Sequence, residues 1–168
     1  MSTPSTNPKV EKIRQSVHKS YEELNQLIDG PLAALEQKKL YESPTENEWT
    51  IMQNLAHTVE FLSYWANEIK KLVAEPGRNF GRIATDEGRL RSIEQHSRDN
   101  LEQAKAALPG SYARLEDVLG GLRDSDLEMT GQHVKFGERP LAWFIEEFVT
   151  KHLSDHVAQL RESLAALE

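Results

Sequence analysis

Along most of this chain apolar residues return every three or four positions, and almost nowhere do they alternate. That spacing lines one face of an α-helix, whereas a half-buried strand needs a period of two. In residues 9–29 the stripe is Val10, Ile13, Val17, Tyr21, Leu24 and Ile28, closed by the Gly30-Pro31 break, with one or two further turns in 32–39. In residues 48–74 it is Met52, Leu55, Val59, Leu62, Ala66, Ile69 and Val73, with Thr45 or Asn47 as the expected N-cap. A third stretch, 89–122, carries Leu90, Ile93, Leu101, Ala104, Leu108, Leu115 and Leu119, and Pro109-Gly110 is expected to kink or divide it. The last, 140–167, begins at Pro140 and carries Leu141, Ile145, Phe148, His152, His156, Leu160, Leu164 and Leu167. Four long amphipathic helices predict an all-α fold, a four-helix bundle. The long connections at 77–88 and 123–139 allow crossover topology, and Val134–Phe136 in the second is a candidate extended segment.

The chain has 168 residues, enough for one domain, here residues 9–168 behind a loose polar tail of residues 1–8. It has no cysteine, which excludes disulfides, thiolate ligands and a cysteine nucleophile. A formal charge of −7 argues against a nucleic-acid surface or an anionic-membrane surface, and a small-molecule ligand is the expectation. No apolar run is long enough to span a bilayer, and the first residues lack the apolar stretch of a secretory signal, so a cytoplasmic location is the default.

Two histidines interrupt the last stripe. His152 and His156 are four apart, so on a helix they project from one face, one turn from each other. Two imidazoles placed so can share a metal ion. The plainer alternative is a pair of core histidines satisfied by carbonyls or carboxylates. A metal needs a third ligand, and His57 in the second helix is the candidate, since facing helices of a bundle can converge on one ion. Three nitrogens would leave coordination positions open for water or substrate. Periodicity alone does not select His57. It lies opposite the main stripe, on a second face with Phe61, Tyr64, Trp65, Glu68 and Leu72. That face is either buried too or meets a second subunit, which makes a homodimer plausible.

Trp49-x7-His57 within the run Leu55-Ala56-His57, followed far downstream by Gly137-x2-Pro140-Leu141, an aromatic-rich approach, His152-x3-His156 and Gln159, resembles the DinB superfamily over nearly the whole chain. The resemblance implies an up-down-down-up bundle, often a homodimer, and a divalent metal, commonly nickel or zinc, held by His57, His152 and His156. It also implies chemistry: some relatives look like transferases or isomerases that use a low-molecular-weight thiol, which a divalent ion would hold as thiolate. A chain without cysteine would have to borrow its thiol. The same centre would serve a hydrolase, and a non-catalytic bundle with a structural metal is the remaining alternative. One departure is Leu153, where members often carry an acidic residue.

Other polar residues offer less. Glu60 is placed to orient an imidazole or act as a base, Asp155 likewise, and His133 to reach the mouth of the site; solvated charges and a surface histidine are the plainer readings. Arg78, Arg82, Arg89 and Arg91 cluster past the second helix, on the order of 30 Å from His57 if the helix is followed to its end. They are candidates to bind an anionic substrate group, but at that distance a solvated charged end is the simpler reading. Phe61, Tyr64, Trp65, Trp143 and Phe144 either wall a pocket or fill the core.

Overall fold

The computed structural model describes residues 6–168. Of the expected tail, residues 1–5 lie outside that range. Asn7 is already tied in, its side-chain oxygen accepting from the Asp124 N–H at 2.9 Å. The Asp124 carboxylate in turn accepts from the N–H groups of Lys9 and Val10 at 3.1 and 3.0 Å. A carboxylate there meets the positive end of α1 (Pro8–Asp29).

After α1 come a single turn, α2 (Pro31–Ala34), and a 3-10 turn at Gln37–Tyr41. The second long helix is α3 (Ile51–Ala74). Its cap is Thr50, not Thr45 or Asn47: Thr50 Oγ1 accepts from Gln53 N at 3.0 Å and Gln53 Oε1 accepts from Thr50 N at 2.9 Å. This reciprocal pair satisfies two backbone donors at once, which a lone Thr45 or Asn47 would not.

The third stretch is two helices, α4 (Glu87–His96) and α5 (Leu101–Gly120), divided before Asn100 and not at Pro109. Asn100 and Gln103 form a second reciprocal cap with both bonds at 2.8 Å, so a new helix starts there. Pro109 sits inside α5 on its exposed side. The carbonyl of exposed Lys105, which it leaves without an amide partner, can turn to water, so the helix continues. A 3-10 turn (Asp124–Glu128) leads to a hairpin of β1 (Thr130–His133) and β2 (Gly137–Pro140), registered Thr130 to Pro140 and His133 to Gly137. Val134–Phe136, expected as an extended segment, is its turn; Gly137 follows at φ 70°, a conformation that favours glycine.

Contacts between helices fix their directions. Ser63 of α3 meets Ser111 of α5 at 2.9 Å, and one cleft is lined by Ala56 with Ala104 while another is lined by Lys70 with Val118, so α3 and α5 run parallel. Lys105 pairs with Asp29 and Arg14 with Glu116, so α1 and α5 run antiparallel. Asn54 reaches Gln159 and Trp65 stacks on Phe148, so the last helix opposes α3. The order is up-down-down-up, with the segment between α3 and α5 as the crossover.

The last helix is α6 (Leu141–Ile145), a π turn (Glu146–Thr150) and α7 (Lys151–Leu167). Its core row is Leu141, Ile145, Val149, Leu153, Val157, Leu160 and Leu164, all buried. Phe148 and His152 stand beside that row, half-buried, and not on it as the sequence stripe had them. Each four-residue step overshoots an α-helical turn by about 40°, so an unbroken α-helix would carry such a row off the core. A π turn holds more residues per turn and takes out part of that drift.

The second face of α3 is covered by the chain itself: His57, Phe61, Trp65, Glu68 and Leu72 are all buried. The surface that suggested a second subunit is therefore interior. No helix among the described residues is long and apolar enough to cross a membrane.

Candidate metal centre

His57 comes from the second turn of α3, and His152 and His156 from the first two turns of α7. Antiparallel packing sets them level, and one nitrogen of each lies within 4.8 Å of the others. Aromatic rings wall the group. Phe61 stacks on His152 at 4.4 Å, and Trp49 lies 5.2 Å from His57 and 6.3 Å from His156, ring centre to ring centre. The Trp49 of the family pattern thus has a local physical meaning: from the loop before α3 its ring stands against two of the imidazoles, at the wall of the cleft that reaches His156.

Hydrogen bonds set the tautomers. His156 Nδ1 lies 3.1 Å from Asn54 Oδ1, and His152 Nδ1 lies 3.3 Å from the Phe148 carbonyl in the π turn. Both oxygens only accept, so each Nδ1 carries the hydrogen and each Nε2 bears a bare lone pair. Those two Nε2 atoms face each other at 2.9 Å. Burial, before any neighbouring charge, pushes the His152 imidazole down to about 4 and that of His156 to about 2, and it lowers His57 as well. All three are neutral at pH 7. Neither nitrogen of His57 has a hydrogen-bond partner, although both are buried. Lone pairs converging in a dry site repel unless something positive lies between them. Three neutral imidazoles, two of them with the second nitrogen held by an oxygen, make a donor set that suits a divalent ion such as zinc or nickel.

Glu60 is not an exposed helix charge. It is half-buried, its carboxylate 3.7 Å from His57 Nδ1, beyond hydrogen-bond length, and it accepts from Arg82 at 2.6 Å. The Arg82 guanidinium also stands over the Tyr64 ring, its central carbon 3.7 Å from the ring centre. Asp155 is exposed, on the rim of a cleft of about 290 Å³ that also holds His57 and His152. His133 is buried and stands apart from the cluster, stacked on Phe148 at 5.2 Å, its Nδ1 accepting from the N–H groups of Lys135 and Phe136.

Three contributors escape sequence reasoning. Asn54 is a buried amide, and a polar residue one helical turn before His57 on the same face is the available signal. Arg82 and Arg89 were set aside as too distant. The loop after α3 folds back because Gly77 and Phe80 donate to the carbonyls of Thr130 and Gln132, at 2.7 and 2.8 Å, and Gln132 donates to Arg78 at 3.0 Å. That stitching returns both arginines to the cleft of His57. We expect Asn54→Leu to lower zinc affinity roughly 10- to 100-fold with the fold retained, because His156 loses the acceptor that orients it. Competition against a chromogenic chelator reads this directly, and unchanged affinity would remove Asn54 from the site.

Fold and cluster together define a helical bundle built around three converging imidazoles. The chain belongs to the DinB superfamily, whose family model matches residues 16–160. No curated protein matches it by sequence. Among solved structures it is similar to YfiT from Bacillus subtilis, described as a probable metal-dependent hydrolase with an unusual four-helix bundle topology. Identity is 14%, the TM-score is 0.67, and the match covers 99% of this chain and 88% of that one. It is also similar to a mycothiol-dependent maleylpyruvate isomerase (14% identity, TM-score 0.61), covering 94% of this chain but 60% of the isomerase. A third likeness is to the colibactin self-resistance protein ClbS, solved in complex with double-stranded DNA, at 13% identity and TM-score 0.60, covering 96% of both chains. That complex overturns the exclusion of nucleic acid drawn above from net charge. A protein of this fold is found on DNA, and the sum of a chain's charges does not describe the local surface that meets a phosphate.

Proposed function

We propose that this protein is a divalent-metal-dependent enzyme whose ion is held by His57, His152 and His156. The observation that carries the reading is the pair of bare Nε2 atoms 2.9 Å apart beside a third buried imidazole without partners. Zinc or nickel suits three neutral nitrogens. A divalent ion there would supply Lewis acidity, making a thiol or water available as its anion at neutral pH.

The protein's own residues supply the rest. Asn54 and the Phe148 carbonyl hold two imidazoles in the ligating tautomer. Phe61, fully buried against His57 and His152, excludes water from one side. Clefts of about 290 and 390 Å³ reach the imidazoles from two directions, and these would admit the reactants. Transfer or isomerisation with a low-molecular-weight thiol is the first reading, in line with the likeness to the mycothiol-dependent isomerase over 94% of this chain; a chain without cysteine would have to borrow that thiol. Hydrolysis is the second, favoured by the likeness to YfiT over nearly the full length of both chains.

Elemental analysis of untagged protein purified without chelator tests the centre. About one divalent ion per chain is expected, and almost none in His156→Ala, since three ligands are the minimum for such a site. Equal metal content in both proteins, or none in either after incubation with zinc and nickel, would overturn the proposal. Thiol cofactors with electrophilic partners, then ester and amide panels, separate the two chemistries.

A further inference from the structure

Arg89 lines both clefts that reach the imidazoles: one with His57 and His152, the other with His156. It stands at the start of α4, where its backbone N–H donates to the capping Asp86. Its guanidinium is half-buried, 5.4 Å from the centre of the Trp49 ring, and one arm donates to the Ala84 carbonyl at 2.6 Å. Among the described residues no carboxylate lies within ion-pair distance of it. In the first cleft Arg82 is matched by Glu60 at 2.6 Å and Lys151 by Glu147 at 3.7 Å, with exposed Asp155 at the rim; the second cleft also holds Glu48 and Glu162, neither in an ion pair with Arg89. A guanidinium withdrawn from water costs free energy unless an anion meets it, and its planar fork matches a carboxylate. Burial and the nearby Arg82 charge lower its pKa, and the more distant Glu60 and Asp86 carboxylates oppose them only in part.

We propose that Arg89 docks a carboxylate carried by the ligand whose reactive end meets the imidazole cluster, so that the enzyme selects acidic reactants. The proposal deepens the metal-enzyme reading and rests on it for the identity of that reactive end. The carboxylate belongs either to the thiol or to its electrophilic partner. Neither source alters what Arg89 does.

The test uses the full chain and two ligand pairs. In calorimetry on chelator-treated protein, succinate is expected to bind at least about tenfold more tightly than butane-1,4-diol. Arg89→Met, which keeps the apolar stem, should erase the difference, Arg89→Lys should restore part of it, and Arg91→Met, on a side chain 75% exposed, should leave it intact. On cobalt-loaded protein the thiolate charge-transfer band reads 3-mercaptopropionate against 2-mercaptoethanol. Tighter binding of the acid that depends on Arg89 assigns the carboxylate to the thiol. Equal binding, with the succinate difference intact, assigns it to the electrophile. Succinate binding that matches the diol, or that survives in Arg89→Met, overturns the proposal. Failure to take up cobalt would sink the metal reading instead, and the succinate measurement would still decide on Arg89.

Discussion

Replacing His57 with leucine is expected to abolish stoichiometric metal binding and, at the same time, to make the metal-free protein more stable. The two effects share one cause. His57 brings two buried nitrogens with no hydrogen-bond partner into a shell of rings, 5.2 Å from those of Trp49, Phe61 and His152 and 5.0 Å from that of His156. A buried polar group left unsatisfied costs about 1–3 kcal/mol, and an apolar side chain of similar volume avoids that cost. For a chain of this size each kcal/mol moves Tm by roughly 2–4 °C. Chelator-treated His57→Leu should therefore melt several degrees above the chelator-treated parent, while the zinc-loaded parent outruns both by mass action. A residue kept at a stability cost that only an ion relieves is a site residue. If the variant melts well below the metal-free parent, His57 is an ordinary packed core residue and the metal reading loses its main support.

The second large effect is on acid stability. In the native metal-free protein, burial holds His152 down to about 4 and His156 down to about 2, and lowers His57, whereas an unfolded imidazole titrates near 6.5. The unfolded chain therefore takes up protons that the native chain refuses. The contribution of these groups is fully present above about pH 6.5 and is lost as pH falls toward the native values. For His152 the window runs from about 6.5 to about 4. Each imidazole kept neutral adds a slope of at most about 1.4 kcal/mol per pH unit. Urea titrations of chelator-treated protein at pH 7.5, 6.5 and 5.5 should show stability falling steeply over the last step, and less steeply in His57→Leu. A flat profile across that range would mean that the cluster is open to water. In zinc-loaded protein the same protons compete with the ion, so metal release and loss of stability should coincide.

Much of the bundle is legible in the residue order. The stripes of α1 and α3 are periodic enough to mark helices of the right length, the third stripe runs α4 and α5 together, and the histidine spacing marks a face. The His57 partnership is a different matter. Nothing on α3 distinguishes its second face from a subunit interface until α7 is seen to cover it. The π turn left a trace that periodicity reading passed over. Core residues at 141, 145, 149, 153 and 157 step by four without the three-residue correction that an α-helix needs. The cap of α3, Thr50, lies three to five residues beyond Asn47 and Thr45, because a side chain that caps in isolation competes with a reciprocal pair only in context.

By itself the sequence determined the helices, the absence of any thiol chemistry of the chain's own, and the His152–His156 pair, since these depend on spacing within single segments. Tertiary structure alone decided which nitrogens converge, that Asn54 fixes one of them, and that the loop after α3 returns Arg82 and Arg89 to the cleft. The reason is physical: helical periodicity acts over about four residues, whereas the site is assembled by antiparallel packing of α3 against α7 and by backbone hydrogen bonds from Gly77 and Phe80 to β1, across more than fifty residues of chain.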